Sequence, residues 1–245
     1  MFKNIIVKIS GEALQGLKAM NGGGELLYPT YNDEMVNSIV NEIIAVKKAG
    51  VNVSMVIGGG NYWRGRNAGG INRAKADQIG MLATIMNGIY LSEAFRLLNM
   101  EAIVMTPFNV GTFTRPFEVA KAVRLMADGC VLIFAGGSGL PFFSTDTIAA
   151  IRGAELSVEA VLYAKVVDGV YDADPKLVPD AKKFDRMTYD EVIKRDLRVI
   201  DIAAMEICKE YGLTSIVFGL FEENGITNAV LRSHSKYSAG TIITR

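Results

Sequence analysis

Histidine and cysteine are scarce in this chain of 245 residues, which has one histidine, His234, and two cysteines, Cys130 and Cys208. A single histidine without a neighbouring cysteine leaves most zinc sites short of ligands, and it argues against a Ser-His-Asp hydrolase. Both cysteines stand in apolar, periodic segments without C-x-x-C spacing, which favours buried, reduced thiols. His234 lies in the polar stretch RSHSKYS and is expected in a solvated loop.

Long apolar runs and an excess of charge are also missing. The longest apolar runs are of strand length, such as VLIFA at 131–135, so no membrane span is expected. The N-terminal MFKNIIVKIS lacks a signal-peptide pattern, which predicts a cytoplasmic location. Because 26 basic residues balance 26 acidic ones, the chain has no general electrostatic attraction to nucleic acid or to an anionic membrane.

Apolar strand-like runs alternate with amphipathic segments along most of the chain. The runs that predict strands are 5–9, 51–57, 102–105, 131–135, 160–167 and 215–218. The segments that predict helices are 32–49, 73–98, 116–127, 146–153 and 200–211, with Asn32 as an N-cap, Gly50 as a C-cap and Pro116 in a first turn. This alternation predicts an α/β fold with a mostly parallel sheet. The polar, turn-rich region 168–195 is expected to form a lobe.

The predicted helix 73–98 carries apolar residues on more than one face. Such a helix is buried on several sides, either in the core of its own chain or against another subunit. The pattern alone favours neither alternative.

Four strand ends carry chemical signals, and ligands of open parallel sheets bind beyond such ends. In KISGEAL, Lys8 interrupts an apolar strand before Ser10 and Gly11. A buried ammonium needs an anionic partner, so Lys8 either extends to solvent from an edge strand or points at a phosphate. In VIGGGNYWRG, three glycines follow a strand and allow close approach of phosphate, and Arg64 adds a planar fork for phosphate oxygens.

The third strand end is AGGSGLPFFSTD at 135–146. It supplies hydroxyl groups and two phenylalanines that could wall a ring. Asp146 either caps the following helix or is a buried carboxylate that holds Lys8 charged and aimed. The fourth strand end, VVDGVYDADP at 166–175, is turn-forming and needs no function by itself.

These junctions together predict binding of phosphate and a ring. Since no cluster of carboxylates or histidines suggests a metal bound by the protein, they favour phosphoryl transfer with magnesium carried by a nucleotide.

Six segments of the chain resemble the bacterial UMP kinases (uridylate kinases) of the amino acid kinase superfamily. The resemblance covers nearly the whole chain, in KISGEALQG (8–16), VIGGGNYWRG (56–65), NRAKADQIGMLATIMNG (72–88), AGGSGLPFFSTD (135–146), VDGVYDADP (167–175) and GTIIT (240–244). It implies a three-layer α/β/α sandwich, the amino acid kinase fold, as one domain over 1–245. Its N-terminal part, about 1–150, would bind UMP, and its C-terminal lobe, about 151–245, would bind ATP.

The resemblance also implies an activity: reversible, ATP-dependent phosphorylation of UMP to UDP in pyrimidine nucleotide (CTP/UTP) biosynthesis, with Mg²⁺ accompanying ATP. It implies a homohexamer, which makes helix 73–98 an interface, and feedback inhibition by UTP. The catalytic residues would be Lys8, Arg64 and Asp146. ATP would be bound by Lys8, Ser10, Gly11, Gly60, Arg64, Lys165, Tyr171 and Asp174. UMP would be bound by Gly59, Asp77, Ser138, Gly139, Leu140, Pro141, Phe142, Phe143, Ser144 and Thr145, with Asp77 on the ribose.

Three departures from similar proteins bear on these expectations. Leu140 stands where asparagine is usual, which removes one polar contact to UMP, and Lys165 stands where a small polar residue is common. Segment 15–25 differs from the one linked to GTP activation in some members, so GTP activation is not predicted.

Two rival functions stay open at this point. One is an amino acid kinase that acts on a carboxylate or carbamate, and the other is a nucleotide-binding or storage protein on the same scaffold.

Overall fold

The computed structural model describes residues 2–15, 19–20, 26–27, 30–63, 69–197, 199–233 and 239–245. The predictions for Arg64, for His234 and for most of segment 15–25 therefore lie outside the described residues.

Seven α-helices lie in the described residues: α1 (Asp33–Lys48), α2 (Arg73–Leu97), α3 (Val119–Ala127), α4 (Thr145–Glu155), α5 (Tyr189–Lys194), α6 (Ile202–Glu210) and α7 (Gly225–Leu231). The predicted caps of α1 are confirmed, since the Asn32 side chain accepts a hydrogen bond from Met35 N at 2.9 Å. Gly50 has a left-handed φ of 91°, which glycine adopts without steric cost.

One predicted helix start was wrong. Pro116 lies in a short strand, Arg115–Pro116, and α3 begins only at Val119. Phe117 N donates to Thr106 O, so the chain continues beside the preceding strand before it turns into the helix.

The strands are β1 (Asn4–Ile9), β2 (Ala19–Met20), β3 (Leu26–Leu27), β4 (Asn52–Ile57), β5 (Ala102–Thr106), β6 (Arg115–Pro116), β7 (Val131–Phe134), β8 (Ala160–Lys165), β9 (Val170–Tyr171), β10 (Lys183–Phe184), β11 (Arg186–Thr188), β12 (Thr214–Gly219) and β13 (Thr241–Thr244). Nine of them form one sheet in the order β11-β13-β12-β8-β1-β4-β7-β5-β6. Pairing is parallel at β1–β8, β8–β12, β11–β13, β5–β7 and β5–β6, and antiparallel at β12–β13. The predicted α/β fold class with a mostly parallel sheet is confirmed.

Contacts divide the chain into two compact units. Unit 1 contains Met1–Lys8, Ala45–Val56 and Ser144–Arg245, and unit 2 contains Ile9–Ile44 and Ile57–Phe143. The turn-rich region after β8 belongs to unit 1, where β9 and β10 pair as an antiparallel hairpin. The boundary runs through KIS, so Lys8 belongs to unit 1 while Ser10 and Gly11 belong to unit 2.

Candidate active site

Three charged side chains of unit 1 form one cluster, which we call the lysine–aspartate cluster: Lys8, Asp146 and Lys165. Lys8 Nζ lies 2.9 Å from Asp146 Oδ1, and Lys165 Nζ lies 2.8 Å from Asp146 Oδ2. The first contact is an ion pair without hydrogen-bond geometry, whereas Lys165 donates a hydrogen bond. Lys8 and Asp146 are only 7% and 8% exposed. Because β1 lies between β8 and β4, Lys8 does not extend to solvent from an edge strand.

The two ammonium groups keep the Asp146 carboxylate ionised despite its burial. Burial alone would raise the pKa of Asp146, but the ammonium groups of Lys8 and Lys165 outweigh it and hold that pKa below its ordinary value. Burial lowers the pKa of Lys165, and the Asp146 carboxylate offsets only part of this effect. The cluster therefore carries a net positive charge, which suits the oxygens of a phosphoryl group.

Asp146 does not cap its helix. Ser144 is the N-cap of α4, because its side chain accepts a hydrogen bond from Thr147 N. Ser144 Oγ and Thr147 Oγ1 also donate to Asp201 Oδ2, at 2.7 and 2.8 Å. These hydrogen bonds lower the pKa of Asp201 against the opposing effect of burial. With the cap supplied by Ser144, the Asp146 carboxylate is free to bridge the two lysines.

A cleft of about 470 Å³ lies in unit 1, and Tyr171 and Asp174 are among its lining residues. Tyr171 donates a hydrogen bond of 2.5 Å to Asp168, which raises the pKa of Tyr171 to about 12. Lys183 Nζ pairs with the same carboxylate at 2.6 Å. Asp174 Oδ1 accepts from Lys176 N and orders the turn that contains Pro175. The cleft thus has an oriented aromatic ring and an ordered turn, and its size suits part of a small molecule.

In unit 2, the segment after β1 and the glycine segment after β4 pack against each other with no room for side chains. A Cβ on Gly11 would lie 2.5 Å from Asn61 Oδ1 and 2.6 Å from Gly60 N. A Cβ on Gly59 would lie 2.8 Å from the Ala83 Cβ. Gly58, Gly59 and Gly60 are not among the residues with positive φ. Close approach, rather than a left-handed backbone, is therefore why glycine is needed here.

The loop 136–143, also in unit 2, depends on left-handed backbone instead. Gly136, Gly137 and Gly139 have φ values of 80°, 63° and 81°. Phe142 has a φ of 74°, which is unfavourable for a bulky residue. Its N–H donates to Asp77 Oδ2 at 2.9 Å, and that bond holds the strained residue in place.

The side chains of this loop are available to a ligand. Phe142 is 68% exposed, and Leu140 and Phe143 are exposed as well. The Ser138 hydroxyl bonds to the backbone of Leu140, with both Leu140 N and Leu140 O as partners. A strained backbone beside exposed aromatic side chains is typical of a ligand-binding loop.

The inner side of helix α2 in unit 2 carries three polar side chains among buried apolar ones, and its outer face is apolar. The inner residues Asp77, Thr84 and Asn87 bond to Phe142 N, Gly136 N and Gly58 O. The outer, exposed residues are Ile79, Leu82, Met86 and Ile89. The prediction that α2 is buried on several sides therefore holds only for its inner side in the described residues, because the outer stripe stays exposed.

Among the described residues, no group of three or more histidine, cysteine, aspartate or glutamate side chains could hold a metal ion. The donors at the lysine–aspartate cluster suit phosphate oxygens rather than a cation. Within the same residues, no helix has the length and apolarity that a membrane crossing requires.

Several residues at these sites were not recognised from the sequence. Asn61 directly follows the three glycines, and Thr84 and Asn87 share a helix face with Asp77. The spacing of seven and then three residues along α2 is the signal that could have identified this face. Asp201 has no such signal, because only the fold brings it to Ser144.

Comparisons with known proteins show the family of this chain. The sequence profile of the amino acid kinase family matches residues 3–219. A UMP kinase from Bacillus anthracis is 34% identical, with 99% of this chain and 96% of that chain covered and a TM-score of 0.89. A UMP kinase from Ureaplasma parvum is 33% identical, with 99% of each chain covered and a TM-score of 0.88. The chain therefore belongs to the amino acid kinase family.

Proposed function

We infer that this protein is a UMP kinase, which transfers the γ-phosphoryl group of ATP reversibly to UMP and forms UDP. The observation that carries this proposal is the lysine–aspartate cluster, a buried carboxylate that holds two ammonium groups at 2.9 and 2.8 Å. The choice of UMP is supported by the two structurally similar UMP kinases and by the motifs of the acceptor loop.

The cluster would act by placing positive charge where the transferring phosphoryl group develops negative charge. Lys8 contacts that group, and Asp146 orients Lys8 without becoming protonated. Lys165 supplies a second cation from the other carboxylate oxygen, in addition to any contact with ATP. Mg²⁺ enters with ATP, because the nucleotide phosphates and water supply the oxygen ligands that this ion prefers.

The remaining ATP contacts would come from both glycine-rich junctions and from the cleft of unit 1. Ser10, Gly11 and Gly60 let the backbone approach phosphate oxygens, with Arg64 as their charged neighbour in the chain. Tyr171 and Asp174 line the cleft, which has the size for the adenine or ribose part of the nucleotide. In this assignment the C-terminal lobe binds the adenine or ribose part of ATP, and the glycine-rich junctions of the N-terminal part meet its phosphates.

UMP would be held mainly by the loops that α2 positions in unit 2. Gly59 approaches the acceptor phosphate, and Asp77 meets the ribose while it holds Phe142. Residues 138–145 surround the nucleotide, with Phe142 and Phe143 exposed for contact with a ring. Leu140 offers no polar side-chain group for the base.

Assembly and regulation follow from the same assignment. The exposed apolar stripe on α2 (Ile79, Leu82, Met86 and Ile89) supports a homohexamer in which this face is covered by another subunit. The proposal includes a cytoplasmic role in pyrimidine nucleotide biosynthesis and inhibition by UTP, the end product of that route.

Release of ADP from ATP and Mg²⁺ with UMP, CMP, dUMP, glutamate, aspartate or carbamate as acceptor tests the proposal. We expect turnover with UMP and little with the others. Turnover with an amino acid or carbamate would replace the substrate class. Nucleotide binding without turnover of any acceptor would indicate a binding protein.

A further inference from the structure

Two asparagine side chains of unit 2 form a reciprocal amide pair beneath the glycine segment. Asn87 Nδ2 donates to Asn61 Oδ1 at 2.7 Å, and Asn61 Nδ2 donates to Asn87 Oδ1 at 3.0 Å. Asn87 Nδ2 also donates to Gly58 O at 2.7 Å, and Tyr31 Oη donates to Asn87 Oδ1 at 3.0 Å. These four bonds use both donors and both lone pairs of the Asn87 amide, which is fully buried.

The bond to Gly58 fixes the direction of the next peptide group. In a trans peptide the C=O and the following N–H point in opposite directions, and the described residues include no cis peptide bond. With Gly58 O turned inward to Asn87, the N–H of Gly59 faces away from the amide pair. Among the described residues, no hydrogen bond engages that N–H, whereas Gly58 N is already bonded to Ile9 O at 2.8 Å.

We propose that Asn87 is a positioning residue that aims the Gly59 N–H at the phosphate of the acceptor nucleotide. Asn61 keeps the Asn87 amide in the orientation that this requires, since a rotated amide would set oxygen against oxygen at Gly58. The assignment rests on the proposed function, because it takes the acceptor to be a nucleoside monophosphate.

The inner face of α2 supports this role because it holds a second loop in the same way. Thr84 Oγ1 accepts from Gly136 N at 2.7 Å and donates to Met81 O at 2.7 Å. Thr84 and Asn87 are one helical turn apart, so one face of a single helix fixes both loops. A rigid helix positions loop backbone more accurately than the loops could by themselves.

Binding of UMP and of uridine to the full-length protein, measured by calorimetry, tests the proposal. Uridine shares the base and ribose but lacks the phosphate. Asn87→Leu keeps the approximate size of the side chain and removes the donor to Gly58. We expect the dissociation constant of UMP to rise about 10- to 100-fold, as for loss of a hydrogen bond to a charged group, while that of uridine stays within about twofold.

Tyr31→Phe is the matched control, because it removes one bond to the same amide and leaves the bond to Gly58. We expect its UMP affinity to stay within about twofold of the wild type. If thermal unfolding shows that Asn87→Leu does not fold, Asn87→Ser removes the same donors in a smaller side chain.

The outcomes separate this assignment from the proposed function. Equal weakening of UMP and uridine, or unchanged UMP binding in the Asn87 variants, would overturn the positioning role alone. A wild-type protein that bound no UMP would overturn the proposed function and this assignment together.

Discussion

Replacing Lys8 with methionine removes one positive charge from the lysine–aspartate cluster with little change in side-chain length. The structure predicts that the variant folds. Losing one partner of a buried pair costs about 3–5 kcal/mol when the other charge is left uncompensated. Asp146 keeps Lys165 at 2.8 Å, so we expect a smaller loss, about 1–2 kcal/mol in the free energy of unfolding.

The effect on catalysis should be larger than the effect on stability. Removal of one preorganised charge or donor from a transition state costs at least about 100-fold in kcat, or about 2.7 kcal/mol. Loss of Lys8 also relieves the like-charge effect that lowers the pKa of Lys165, so the second lysine stays charged in the variant. Residual activity should therefore remain.

The assay is steady-state release of ADP with UMP, together with urea unfolding of the same preparation. Lys209→Met is the matched control, because Lys209 pairs with Asp190 in an exposed ion pair of 2.5 Å, and exposed ion pairs add little to stability. A folded Lys8→Met variant with near-normal kcat would refute the role of this lysine, and an equal loss in Lys209→Met would show that the change is not specific.

Further predictions concern charge, packing and assembly. Asp146→Asn removes the carboxylate that supports the charge of Lys165, so the pKa of this lysine falls further and its positive charge is lost at a lower pH. The alkaline limb of the pH profile of kcat should therefore move to lower pH. An unchanged limb would exclude a role of the Lys165 charge in catalysis. Gly11→Ala places a Cβ 2.6 Å from Gly60 N, and this overpacking should lower kcat/KM at least about tenfold. Gly69→Ala is the control and should have no effect, because a Cβ at Gly69 has no atom within 4 Å. Equal kinetics in the two variants would contradict the packing argument. Leu82→Asp should leave the monomer folded and reduce the oligomer seen by sedimentation, and an unchanged oligomer would place the interface elsewhere.

The sequence was sufficient to predict the main strands of the sheet and the pairing of Lys8 with Asp146 in the lysine–aspartate cluster. Near-continuous apolar runs locate the main strands because parallel strands are buried on both faces. Lys8 stands out because a charged residue in such a run needs a partner, and the sequence left Asp146 either as a helix cap or as the carboxylate that holds Lys8. The structure decides between those alternatives, since Ser144 supplies the cap and Asp146 makes the ion pair.

The rest could not be predicted because it depends on contacts distant in sequence. The meeting of Lys8 and Lys165 at one carboxylate requires β8 to lie beside β1, and a one-dimensional pattern contains no such pairing. The amide pair joins Asn61 and Asn87 across 26 positions of the chain. Pro116 was misplaced because proline is favoured both in a first helical turn and in an edge strand, and β6 is an edge strand.

The most direct test of the central claim is a ³¹P NMR spectrum of the protein with ATP, Mg²⁺ and UMP, because it identifies the molecule that receives the phosphoryl group. Phosphoryl transfer to UMP predicts β-phosphate signals of ADP and UDP that grow at equal rates, and a much slower growth with Lys8→Met. Growth of ADP with inorganic phosphate and no UDP, or no change in the ATP signals, would contradict the account.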